Sequence, residues 1–271
     1  MTFQDVLVHL DSGARASERL GLAIAMARRH GARLTGLFAE SAVLGPSLVG
    51  RRAPEAMARA AQAAREAFEV RGSAAGVRSR WWQVEPGEFG DVVGAAIQCC
   101  RYVDVAVFGQ QRGDDAPVPD GLVERVIAEC GRPVVVVPSV GHYPDVGQRV
   151  LVAWTGSREA ARALHDALPL LEQAGEVTIL SLQLPRAEVP GGLPPLDVLD
   201  HLHAHGVKAT YERVILGYLE TVDLVLNRAA DGASDLTVIG AYGVQGGGLL
   251  KRADTTRAIL ETMTTPVLLS S

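Results

Sequence analysis

The stretch of this sequence best suited to chemistry lies near its end. Val238, Ile239 and Gly240 read as the last residues of a strand. A glycine-rich run follows through Gly243, Gly246, Gly247 and Gly248, and a helix is expected to start near Thr255. Glycines let backbone N–H groups approach a phosphate closely, and a helix N-terminus adds positive potential. Neither G-x-x-x-x-G-K-[ST] nor G-x-G-x-x-G is present, so the run is neither a P-loop nor a dinucleotide fingerprint. The structural alternative is a flexible glycine-rich connection. Other constellations are weaker. His201 and His205 lie four residues apart on one helix face, a spacing zinc sites use, but no third ligand is evident. No G-x-S-x-G elbow or other local nucleophile signature occurs. Cys99, Cys100 and Cys130 read as small packing residues. Trp81 and Trp82 face opposite sides of a strand.

The elements that would position these residues repeat. Val6–Asp11 matches Val150–Thr155, an offset of 144 taken from Val6 to Val150. Asp104–Gly109 matches Asp235–Gly240, and Arg132–Val137 matches Thr265–Ser270, at offsets of 131 and 133. Three matches in the same order indicate an internal duplication. The boundary falls in the Gly- and Pro-containing stretch Ser139–Gly147, giving domains 1–140 and 148–271. In the first half, strands are expected at Val6–Leu10, Leu34–Phe38, Val77–Glu85, Val103–Gly109 and Val134–Val137. Helices are expected at Ser17–His30, Pro54–Arg71, Glu88–Arg101 and Gly121–Cys130. In the second half, strands fall at Val150–Trp154, Val177–Leu182, Val207–Val214, Leu236–Gly240 and Val267–Leu269. Helices fall at Arg158–Gln173, Leu196–His205, Tyr218–Ala230 and Thr255–Met263. Continuous Val/Ile/Leu strands between helices indicate parallel sheets covered on both faces. The fold class is therefore α/β, as two tandem doubly wound, Rossmann-like parallel-sheet domains. Such sheets bind ligands beyond the carboxyl ends of the strands, at the topological switch point.

Composition narrows the function. The chain has 271 residues, 48% hydrophobic and 21% charged, which suits two packed domains and excludes disorder. Its formal net charge of −5 argues against a general nucleic-acid binder. Three cysteines exclude a disulfide scaffold and fit a reducing compartment. No apolar run approaches the roughly 18 residues of a membrane span. The opening Met1-Thr2-Phe3-Gln4-Asp5 carries no basic region ahead of an apolar one, so no signal peptide is expected. The expected location is cytoplasmic, away from membranes.

Gly240-x2-Gly243, nine further residues and a two-residue step before the last helix resemble the universal stress protein family, whose pattern is Gly-x2-Gly-x9-Gly-Ser/Thr. The opening Val-Leu-Val-His-Leu-Asp11 and the Pro133 to Pro138 ending match as well, and the resemblance covers nearly the whole chain as two tandem domains. It implies a cytoplasmic stress-associated protein. Some members bind ATP at this loop and others do not, so ATP or another adenine nucleotide is the candidate ligand, with no cofactor assured.

The departures from the family pattern carry weight. Ala253-Asp254 stands where ATP-binding members have Gly-Ser, and it aligns with Asp120-Gly121 of the first half. Each half thus places a carboxylate in the same step, where Asp would also serve as a helix N-cap. At ~5 Å and an effective dielectric of ~20, two unit charges repel by roughly 3 kcal/mol, about two decades in affinity. Lys251 and Arg252 could offset part of this. In the family an Asp ending the first strand helps bind the nucleotide. Asp11 holds that place in the first half, whose Gly109-Gln110-Gln111-Arg112 has lost the second glycine. Thr155 replaces the acid in the second half, which keeps its glycines. The second half is the better nucleotide candidate, with contacts at Thr155, Gly240, Gly243, Thr255 and Thr256, and Asp11 with Gly109 form a degenerate first site. The expected function is a non-catalytic regulatory or ligand-sensing protein with impaired or modified nucleotide sites. The alternatives are an ATP-binding switch or slow ATPase using the second half, and a scaffold that binds a protein partner. The family further implies that the two final strands pair within the chain, as an intramolecular pseudo-dimer.

Overall fold

The computed structural model describes residues 2–41, 43–44, 50–51, 54–84, 92–111, 118–183, 197–215, 221–241 and 252–271. Its first half contains strands β1 (Asp5–Leu10), β2 (Arg33–Phe38), β3 (Val43–Leu44), β4 (Gly50–Arg51), β5 (Ser79–Gln83), β6 (Val105–Gly109) and β7 (Val134–Val137). The helices between them are α1 (Ala16–His30), α2 (Pro54–Ala74), α3 (Val92–Cys100) and α4 (Leu122–Glu129). The second half contains β8 (Arg149–Trp154), β9 (Glu176–Gln183), β10 (Thr210–Ile215), β11 (Leu236–Gly240) and β12 (Val267–Ser270). Its helices are α5 (Arg158–Leu171), α6 (Val198–Ala204), α7 (Thr221–Asp231) and α8 (Arg252–Thr262).

The β1 run is buried at every position, as expected of a parallel strand covered on both sides. In α1, Leu20, Ala23 and Ala27 recur on one face, and Gly31 at φ 65° ends the helix. Ten strands form one sheet in the order β10-β9-β8-β11-β12-β7-β6-β1-β2-β5. Within each half all pairings of this sheet are parallel, and the order reverses between β1 and β6 and between β8 and β11. Each half is thus a doubly wound α/β domain. The two halves meet where β7 and β12 pair antiparallel, with Val135 opposite Leu268. Under the duplication these two residues are equivalents, so the local two-fold passes between them.

One apolar layer lies on each face of this sheet, and each runs through both halves. The first joins Val6 and Val8 to Met26 of α1 and to Leu164 and Leu168 of α5. The second joins Leu7 and Phe108 to Val126 of α4 and to Ile259 and Met263 of α8. Trp81 packs on Phe68 and Phe38, while Trp82 carries the Arg80 guanidinium 4.0 Å above its ring.

Several sequence expectations need adjusting. Helix α8 begins at Arg252 rather than near Thr255, so Asp254 lies inside its first turn instead of preceding the helix as a cap. The equivalent Asp120-Gly121 precedes α4, with Gly121 at φ 72° and no side-chain cap. The two steps aligned in sequence therefore differ in structure. The hairpin of β3 and β4 carried no signal in the sequence reading. The proposed linker is fastened to α1. Arg15 donates to the carbonyls of Pro138 and Gly141, Glu18 accepts from the Tyr143 N–H, and Arg29 pairs with Asp145.

His30, at the end of α1, meets Phe3 edge-on at 4.9 Å and lies 3.3 Å from the Gln173 amide. Burial, aided by the Arg29 charge, pushes its pKa down to about 4. An unfolded chain would hold that proton up to about pH 6.5, so this contribution to stability is present above that pH and is lost as pH falls towards 4. The urea midpoint is expected to drop from pH 7 to pH 5, and to drop less in His30→Gln.

Candidate functional site

In the first half, the reversal of strand order opens a cleft of about 210 Å3 at the carboxyl ends of β1 and β6. His9 and Asp11 enter it from β1 and the turn that follows. Gly109, Gln110 and Gln111 enter from the end of β6, and Arg15 and Arg19 from α1. The His9 ring stacks on Phe108 with centroids 5.0 Å apart. Its Nε2 lies 2.8 Å from the Ala39 carbonyl, so that nitrogen carries the proton and donates. Burial is the largest influence on His9 and holds its pKa below the ordinary value despite the pull of Asp11. The ring is therefore neutral near pH 7.

Asp11 is used up within the protein. One carboxylate oxygen accepts the Gly13 N–H at 2.8 Å, and the other lies 2.6 Å from Arg19 Nη2. Burial alone would raise its pKa, but the Arg19 charge, His9 and the Gly13 hydrogen bond outweigh it and hold the group ionised. Arg19 is itself buried and donates from Nε to the His9 carbonyl at 3.1 Å. Gly109 makes room for it, since a Cβ there would stand 2.5 Å from Arg19 Nη1. The acid expected to meet a nucleotide thus meets an arginine of its own chain. The sequence reading missed Arg19. Its signal was a charged residue in register with Ala23, Met26 and His30 on the buried face of a helix.

Gln110 and Gln111, the two residues between Gly109 and the place of the lost second glycine, are structural links. Gln110 Nε2 crosses to the carbonyls of Leu260 and Glu261 in α8, at 2.7 and 3.3 Å, while its Oε1 accepts the Ser139 N–H. Gln111 donates to the Pro119 carbonyl and accepts the Val123 N–H.

The equivalent place in the second half is built differently. Thr155 is exposed, and its hydroxyl lies 3.1 Å from that of Ser157, which caps α5 by accepting the Ala160 N–H. Gly240 is a packing glycine. A Cβ there would stand 2.5 Å from the Glu159 carbonyl carbon and 2.6 Å from the Ala160 nitrogen, so its absence lets the first turn of α5 approach β11. Thr255 is half-buried and Thr256 buried, both within α8. Gly243 and Lys251 lie outside the described residues, as does most of the glycine-rich run. Sequence reasoning also missed Glu159, a buried acid whose backbone packs on Gly240. Burial would raise its pKa, but its own backbone N–H, the Ser157 hydroxyl and Arg158 outweigh that and keep it ionised. Under the duplication Glu159 stands where the first half has Arg15, and Ala163 where it has Arg19. His201 and His205 meet edge-on at 4.9 Å, and no group of three metal-ligating side chains occurs among the described residues.

No family model matches the sequence, and no curated protein matches it. Solved structures do share its fold. A universal stress protein from Archaeoglobus fulgidus superposes with a TM-score of 0.72 at 16% identity, covering 98% of each chain. A functionally unknown protein from Pseudomonas aeruginosa PAO1 gives 0.60 at 14% identity, over 99% of this chain and 92% of its own. A third structure, assigned to the universal stress proteins of Pseudomonas aeruginosa UCBPP-PA14, gives 0.58 at 16% identity, over 99% and 93%. At these identities the likeness defines the fold. This chain has the tandem α/β fold of universal stress proteins over its full length.

Removing Arg19 would strand a buried carboxylate. Arg19→Leu is expected to cost about 3–5 kcal/mol, with part of the loss recovered in the Asp11→Asn, Arg19→Leu double variant. Urea unfolding of the full cycle checks this, and simple additivity would show that the pair is not coupled. The two equivalent glycines should also differ. Gly240→Ala pushes against backbone and is expected to cost about 1–3 kcal/mol in either the wild-type or the Arg19→Leu background, whereas Gly109→Ala displaces the buried Arg19 and its cost should largely vanish once Arg19 is Leu. Thermal melts of the two variants in both backgrounds decide this.

Proposed function

We propose that this chain is a universal stress protein of the tandem type, acting as a non-catalytic, ligand-sensing regulator whose two nucleotide sites have been modified. Its domains are residues 1–140 and 148–271, joined through β7 and β12 as an intramolecular pseudo-dimer in the cytoplasm. One observation carries this reading: Asp11, the acid that the family resemblance assigns to nucleotide binding, is held 2.6 Å from Arg19 and offers no free oxygen. The second half adds to it. Thr155 has no carboxylate to offer a ribose, and the buried, ionised Glu159 sits on the first turn of α5, whose backbone packs on Gly240 beside that half's switch point. The net charge of −5 argues against a nucleic-acid partner, and no helix among the described residues is long and apolar enough to cross a membrane.

Calorimetry with ATP and AMP tests the proposal on the wild type, Asp254→Gly and Glu159→Gln. The expected result is no wild-type ATP binding tighter than roughly 100 μM, since a carboxylate at ~5 Å from the phosphates would remove about two decades. Binding that appears only in a carboxylate variant supports a site closed by its own charge. Micromolar ATP binding or phosphate release by the wild type would replace this reading with an ATP-binding switch or slow ATPase.

A further inference from the structure

The two clefts created by the duplication have diverged in charge. Among the described residues, the ionised side chains lining the first are Arg15, Arg19 and Asp11, a net of one positive charge with His9 neutral. Two acids near it are engaged elsewhere. Glu18 accepts from the Tyr143 N–H, and Glu40 from the Ser12 N–H. In the second half the two arginine positions are Glu159 and Ala163.

Among the described residues, two donors in the first cleft lack an acceptor. Arg15 Nε and the Ser139 hydroxyl are buried atoms without a hydrogen-bond partner, and both residues line the same space. Arg19 Nη2 is paired with Asp11 and adds its charge to the cleft. Arg15 uses Nη2 on the Pro138 and Gly141 carbonyls and keeps Nε free. Buried donors in native proteins are normally satisfied, so two together call for an occupant that accepts. The N-terminus of α1 opens at the same place and has no side-chain cap, whereas Ser157 caps the equivalent α5. Gly13 stands at the position of Ser157 and offers no side chain to cap the helix, although its carbonyl accepts the Ala16 N–H.

The opposite wall is apolar, formed by Phe108, Val118, Leu122 and Val123. The cleft, at about 210 Å3, is smaller than the roughly 300–1,000 Å3 typical of sites for larger ligands. We propose that the first-half cleft binds a small organic oxyanion, its carboxylate or phosphate group held by Arg15, Arg19, Ser139 and the start of α1, and its short apolar body lying against Phe108 and Leu122. This deepens the ligand-sensing reading and rests on it. Gln110, which also lines the cleft, ties the site to α8 in the other half.

The test uses the full chain with butyrate, inorganic phosphate and sodium chloride at matched ionic strength. Melting temperature and backbone amide shifts are followed for wild type, Arg15→Gln and Ser139→Ala. Wild type is expected to show a saturable rise in melting temperature with butyrate or phosphate beyond the chloride control, with shifts at Gly13, Gln110 and Ser139. Arg15→Gln should weaken the response at least about tenfold, read against its own chloride baseline, which the lost Pro138 and Gly141 bonds lower. Ser139→Ala, which removes only a hydroxyl, gives the same direction if Arg15→Gln unfolds. A response to butyrate alone assigns a carboxylate ligand, and a response to phosphate alone assigns a phosphoryl group. No response beyond chloride, or an equal response in both variants, overturns the site. ATP turnover would overturn the non-catalytic reading and leave this result standing, so the two failures are distinguishable.

Discussion

The antiparallel pairing of β7 with β12 is the contact on which the rest of the molecule depends. Each is the last strand of its half, short and apolar but for Ser270, and left unpaired each would expose an edge that invites aggregation. Pairing them turns two five-stranded sheets into one of ten and lets both apolar layers run through the whole chain. It also brings helices of one half against polar groups of the other. Gln110 reaches the α8 carbonyls, and the Ser271 hydroxyl reaches the Ile127 carbonyl at the equivalent place in α4.

Joined in this way, the two halves keep a common backbone plan but not a common chemistry. The first switch point places an arginine against an aspartate, and the glycine after β6 accommodates that arginine. The second places a glutamate on the first turn of α5, and its glycine accommodates the helix backbone. Two glycines that are equivalent by duplication thus serve different neighbours. A glycine at the end of such a strand does not by itself indicate a phosphate, because close packing demands the same absence of a side chain.

Much of the fold was legible because apolar periodicity is a local property. The β7 and β11 strands have the bounds their Val/Ile/Leu runs predict, and α1 stops at the glycine that its C-terminus requires. The start of α8 was misplaced because an Asp-Thr-Thr run resembles a cap in sequence, yet the helix had already begun at Arg252. The short β3–β4 hairpin pairs only two residues on each side, too few to form a pattern. At the site, Asp11, Thr155, Gly109 and Gly240 were picked out from their positions at strand ends. Arg19 and Glu159 were not, because a charged residue on a helix normally points to solvent.

The sequence by itself determined the duplication, the alternation of strand and helix, the doubly wound class and the strand ends at which a ligand would sit. These follow from hydrophobic spacing and from residues a few positions apart. Only the tertiary structure decided what fills those places. Arg19 faces Gly109 because β6 lies beside β1, and Gln110 reaches Leu260, 150 residues away, because β7 lies beside β12. Whether a carboxylate is free or neutralised depends on such neighbours, and strand order, which no local pattern encodes, selects them.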